Sequence, residues 1–111
     1  MSERDVARRF FDYLDEHVFR PILESPPEHR PEHERELLAQ LQRDTRQERE
    51  RMLHAPSAAA VYQAYHAEIA TPAAHQRYAR LRELDLPTLE DVRIDFEQMA
   101  GDLGIGVGGP A

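Results

Sequence analysis

Glycine is distributed very unevenly along this chain of 111 residues. Residues 1–100 contain none, whereas residues 101–111 contain all five glycines. Glycine weakens helices and serves tight turns, so a glycine-free body favours long helices over hairpins. We predict an all-α fold: a helical domain over residues 1–100, built as a small bundle of four to five helices. A flexible, glycine-rich C-terminal tail over residues 101–111 is expected to follow it.

Proline divides the helical domain into segments of helical length, because proline is tolerated in a first turn and disfavoured inside a helix. The first segment, residues 2–25, carries an apolar side chain at every fourth position. This stripe predicts an amphipathic helix, and it consists of Val6, Phe10, Leu14, Val18 and Ile22. Ser2 and Asp5 resemble a capping pair at its start, and Pro21 predicts a kink or a break before Ile22.

Four further helices are expected after the loop that ends at Pro31. They are predicted over residues 32–55, over residues 56–70, from Pro72 onward, and after Pro87, where Thr88 and Asp91 form another capping pair. The second helix contains a ten-residue run without any apolar side chain, residues 42–51. We expect this run to be a solvated helix face held by i,i+4 charge pairs, or to lie on a polar partner.

Composition excludes several kinds of chemistry. The 14 basic residues are all arginine, cysteine is absent, and the net charge is −7. Without lysine or cysteine the chain has no Schiff-base amine, no P-loop lysine, no thiolate and no disulfide. No apolar run has the length of a membrane span, and the first residues lack the apolar region of a signal peptide. We therefore expect an acidic cytoplasmic protein of bacterial-like composition that does not act on membranes.

Histidines are the side chains in this sequence best suited to bind a metal ion. Glu50 and His54 stand four residues apart on one predicted helix, and His66 lies on the next, so these three are the candidate ligands. The Glu-x-x-His pairs of ferritin-like sites are absent. The primary expectation is that the protein needs no metal or other cofactor. The six histidines are His17, His29, His33, His54, His66 and His75.

Nucleic-acid binding is not expected, because the acidic balance repels phosphate and carboxylates interleave the arginines. Residues 98–107, QMAGDLGIGV, are similar to the middle of bacterial helix-turn-helix sequences, in which a short helix ends in Leu-Gly-Ile before the recognition helix. Here only four residues follow this stretch, which leaves no room for such a helix.

The same tail resembles a second class of sequence. Residues 101–106, GDLGIG, look like the C-terminal targeting peptides of encapsulin cargo proteins, although the basic end of those peptides is missing here. Leu103, Ile105 and Val107 alternate with glycine, so an extended tail would place all three on one side, suited to a shallow groove or an open sheet edge. These three residues are the candidate partner-binding residues.

The sequence carries no catalytic signature, and it favours a non-enzymatic interaction or accessory protein. Such a protein would act through apolar helix faces and the docking tail, and its partner would be another protein or a second copy of itself. The alternative is a helical protein that binds a metal through histidine and carboxylate ligands and is enclosed as encapsulin cargo.

Overall fold

A computed structural model describes residues 2–105. This part of the chain is an all-α bundle without strands, as predicted from the sequence. Its α-helices are α1 (Glu3–Leu14), α2 (Arg20–Leu23), α3 (Glu32–Leu53), α4 (Ala58–Ile69), α5 (Pro72–Glu83) and α6 (Arg93–Asp102). Short 3-10 turns precede α3 and α6, at Pro27–His29 and Glu90–Val92.

The first helix remains continuous across Pro21. A π-helical turn, Asp15–Phe19, joins α1 to α2, and the N–H of Arg20 donates to the carbonyl of Asp15 five residues earlier. Proline lacks an N–H, and its ring clashes with the carbonyl four residues before it in a regular α-helix. The wide turn accommodates this residue, so the chain is helical to Leu23 where the sequence predicted a kink or a break.

The predicted apolar stripe of the first helix forms the core. Phe10, Leu14, Val18 and Ile22 are each at most 2% exposed, and Val6 packs against them. The predicted capping pair at Ser2 is a complete capping box. Thr88 and Asp91 likewise exchange backbone-to-side-chain hydrogen bonds of 3.0 and 3.2 Å. Pro56 precedes the N-cap Ser57 instead of lying in the first turn of α4.

Phe96 of α6 is the centre of an aromatic cluster. Its ring centroid lies 4.5 Å from that of Tyr65 and 5.2 Å from that of Phe10. Tyr13 and Tyr62 stack on it at 6.0 and 6.2 Å. Phe96 itself is fully buried, so this one side chain holds α6 against both α1 and α4.

One side of the polar run of α3 faces the interior, whereas the expected solvated face is present on the other side, where Arg43, Arg46, Gln47, Glu50 and Arg51 are exposed. The side-chain amide of Gln42 donates to the carbonyl oxygen of Ile22 at 3.1 Å. Thr45 and Glu48 are only 4% and 5% exposed. The inner side of residues 42–51 thus packs on the rest of the same chain.

Candidate functional site

Two acidic side chains and one arginine from three helices meet inside the bundle. Arg77 of α5 lies between Glu48 of α3 and Glu68 of α4. Its Nη1 is 2.6 Å from Glu48 Oε1, and its Nη2 donates to Glu68 Oε2 at 2.9 Å. Arg51 donates to the other oxygen of Glu68, also at 2.9 Å. We call Glu48, Glu68 and Arg77 the buried ion cluster.

Glu48 is the most perturbed member of this cluster. Burial of its carboxyl group raises the pKa, the charge of Arg77 lowers it and that of Glu68 raises it, and the net result is a pKa of about 7. Glu48 Oε1 is close to Arg77 but has no hydrogen bond of acceptable geometry. Proximity to Arg77 therefore only partly compensates the cost of removing this carboxylate from water.

We expect the stability of the protein to fall as pH rises from about 4.5 to about 7 through the titration of Glu48. A carboxyl with a higher pKa in the folded state binds its proton more tightly there. Its contribution is complete below the unfolded pKa and lost as pH passes the folded pKa. Moving that pKa from 4.5 to about 7 corresponds to roughly 3 kcal/mol.

Urea denaturation at a series of pH values checks this expectation, with Glu48→Gln as the matched non-titrating variant. The unfolding free energy of the natural chain should decline relative to that of the variant as pH rises. A difference between the two proteins that is constant across the series would contradict it.

The spaces beside the buried ion cluster are small, and the larger one, lined by Glu48, Arg51 and Glu68, measures about 80 Å³. A cavity of about 10 Å³ is lined by Thr45, Glu48, Arg77, Tyr78 and neighbouring apolar residues, which is room for about one water molecule. The hydroxyl of Tyr78 is buried without a hydrogen-bond partner, and burial raises its pKa. A carboxyl with a raised pKa is typical of acid–base catalysis, but ligand pockets usually enclose about 300–1,000 Å³. The geometry fits a structural role for Glu48.

A second ionic contact holds the π-helical turn to α3. Asp15 is only 8% exposed, and its carboxylate accepts hydrogen bonds from Arg49 at 2.7 and 3.4 Å. Arg49 also lies over the ring of Phe11, 5.2 Å from its centroid. The arginines of the polar run thus contribute to packing within the chain.

The candidate metal ligands lie on the surface. Glu50 Oε2 is 3.6 Å from His54 Nε2, and both side chains are largely exposed. His66 is also exposed, with its ring stacked beside Tyr62 at 6.2 Å. Within residues 2–105, no three His, Asp or Glu side chains are grouped so that they could hold a metal ion.

The candidate partner-binding residues Leu103 and Ile105 differ in how far they are buried. The N–H of Gly104 donates to the carbonyl of Gly101, and that of Ile105 to the carbonyl of Ala100. With Gly104 at φ +72°, this is a Schellman cap at the end of α6. Ile105 packs against the core while Leu103 is 36% exposed, and Val107 lies outside the described residues. The Leu-Gly-Ile core of the motif that resembles a targeting peptide thus forms the helix cap.

One exposed residue was not singled out from the sequence. Ile94 of α6 is 74% exposed. It stands two positions before the buried Phe96, and residues two apart on a helix point to different faces. The exposure of Ile94 can be inferred from the sequence, because Ile94 does not belong to the apolar stripe of this segment. That stripe consists of Leu89, Val92, Phe96 and Met99.

Comparison of the chain with models of known protein families, with characterised proteins and with solved structures found no match. None of the helices between residues 2 and 105 combines the length and apolar character needed to cross a membrane.

Proposed function

We propose that this chain is a non-enzymatic interaction protein that binds another protein through the outer side of α6. The observation that carries the proposal is the location of exposed apolar surface. Among residues 2–105, the large apolar side chains that are exposed are Ile94 on α6 and Leu103 at its C-terminal cap. Leu103 stands nine positions after Ile94, about two and a half turns, and so lies toward the opposite side of the helix; the proposal therefore rests on Ile94. Covering a side chain of this size contributes about 1.5–3 kcal/mol, so a partner that covers Ile94 gains substantial affinity.

The charge around Ile94 indicates the kind of partner. Residues 90–102 contain five acidic side chains and one basic side chain, Arg93. Asp95, Gln98 and Asp102 are exposed on this helix. Two copies of the same acidic face repel each other, whereas a basic rim around an apolar socket complements it. The charge pattern therefore favours a different protein over a second copy of this chain.

The interior supports a non-enzymatic role. The perturbed carboxyl of Glu48 lies against Arg77 beside spaces of about 10 and 80 Å³, which are smaller than the usual ligand pocket. The other ionisable cluster, around Asp15, joins the π-helical turn to α3. Both clusters act between helices of the same chain.

The experiment places a photo-reactive amino acid at position 94 and, as a control, at Ala39, which is exposed on α3. We expect one defined cross-linked partner from native lysate at position 94 and none at position 39. Equal labelling at both positions would contradict the proposal, and a cross-linked dimer of the chain would contradict the preference for a different protein.

Ile94→Ser should weaken binding of that partner by at least about tenfold, because the apolar contact is lost. The same variant should change the unfolding free energy by less than about 0.5 kcal/mol, since the side chain is exposed in the free protein. Isothermal titration with the identified partner and urea denaturation measure the two effects, with Ala39→Ser as the matched control. Unchanged affinity with lowered stability would show that Ile94 serves the fold.

A further inference from the structure

An open cleft of about 470 Å³ lies between the first turns of α1 and the end of α3. None of the residues that line it belongs to α6 or to the buried ion cluster. Its volume lies within the range of small-molecule sites, about 300–1,000 Å³. Leu53, Ala55 and Pro56, which are partly or fully exposed, form the apolar floor of the cleft. Ala7, Phe11 and Met52 also line it but are at most 6% exposed.

Positive charge surrounds this floor. Arg4 and Arg8 line the cleft from α1 and His54 lines it from the end of α3, and none of the described residues that line it is acidic. That composition is unusual for a chain with 21 acidic and 14 basic residues. Arg4 and Arg8 are four residues apart, so they lie on the same face of α1.

Arg8 lies beside the floor and pairs with a carboxylate of its own helix, and its side chain is 64% exposed. Its Nε donates to Asp12 Oδ1 at 3.1 Å, and its guanidinium carbon lies 5.7 Å from the centroid of the Phe11 ring. A guanidinium group has five N–H donors, of which Asp12 takes one. On the other wall, Glu50 lies 3.6 Å from His54, so the positive charge of the cleft comes from the two arginines.

We infer that this cleft binds a small organic carboxylate with an apolar body. The carboxylate accepts hydrogen bonds from Arg4 and Arg8, a pairing that suits the planar geometry of both groups. The apolar body covers Leu53, Ala55 and Pro56. Inorganic phosphate has no apolar part and leaves the floor uncovered, and an organic cation is repelled by the arginines.

The test titrates the full chain with octanoate below its micellar range and follows backbone amide signals by NMR. Octylammonium and inorganic phosphate are the matched probes, the first with the same chain and opposite charge, the second with charge and no chain. We expect saturable shifts with octanoate at residues 4–11 and 52–56, and much weaker effects with the other two probes.

Variants then assign the binding to the arginines. Arg4→Gln and Arg8→Gln should each weaken octanoate binding by about tenfold, since charge-assisted hydrogen bonds are lost. Arg80→Gln, at an exposed arginine of α5, makes the same change in net charge and should alter affinity less than about twofold. Absence of saturable shifts, equal shifts with octylammonium or phosphate, or equal weakening by Arg80→Gln would overturn the inference.

Discussion

Replacing Phe96 with alanine should lower the free energy of unfolding by about 3–5 kcal/mol, the usual cost of removing a buried aromatic ring. The ring is fully buried and contacts aromatic side chains from both α1 and α4. Its removal leaves a cavity and detaches α6 from the two helices that hold it. Guanidinium denaturation measures the loss.

Ile94→Ala is the matched control for this prediction. It removes an apolar side chain from the same helix two residues away, but that side chain is 74% exposed, so the expected change is below about 0.5 kcal/mol. Equal losses in the two variants would show that the packing of α6 described above is wrong.

Replacing Arg77 with methionine should also lower the free energy of unfolding by about 3–5 kcal/mol. Methionine keeps most of the apolar stem but removes the cation between Glu48 and Glu68. Glu48 is 5% exposed as a whole residue, and the side chain of Glu68 is 19% exposed. Glu48 then lies in a poorly hydrated site without a cation in contact with it, and Glu68 keeps only the exposed Arg51.

Arg51→Met tests whether the effect depends on burial. Arg51 donates to the same Glu68, but its side chain is 66% exposed, and exposed ion pairs contribute about 0–1 kcal/mol. Chemical denaturation of both variants at neutral pH gives the comparison. A loss for Arg51→Met as large as that for Arg77→Met would contradict the structural role assigned to Arg77.

The features that the sequence predicted correctly are local ones. The stripe from Phe10 to Ile22 repeats with the period of a helix, and helical geometry alone brings those side chains to one face. The capping box at Ser2 and the reciprocal bonds of Thr88 and Asp91 each need only residues three positions apart. Interactions of this range can be inferred without knowing how the helices pack.

The buried ion cluster could not be predicted in this way, because its members come from three different helices. Glu48 stands in a segment without apolar residues, and such a segment is typical of a solvated surface. Arg77 and Glu68 become its neighbours only when α4 and α5 pack beside α3. The same limit applies to Ile105. Its alternation with Leu103 predicted that both side chains lie on one side of an extended tail, whereas the Schellman cap at Gly104 turns Ile105 toward the core.

The coupling free energy between Glu48 and Arg77 tests most directly whether the polar run of α3 is an internal surface. A double-mutant cycle with Glu48→Gln, Arg77→Met and the double variant, followed by urea denaturation, provides it. We predict a coupling of about 2 kcal/mol or more, because the two groups are in close contact and Glu48 is 5% exposed. A coupling below about 0.5 kcal/mol, the value of an exposed pair, when measured at a pH above the pKa of about 7 of Glu48, would mean that Glu48 is solvated and that the interior described above is wrong.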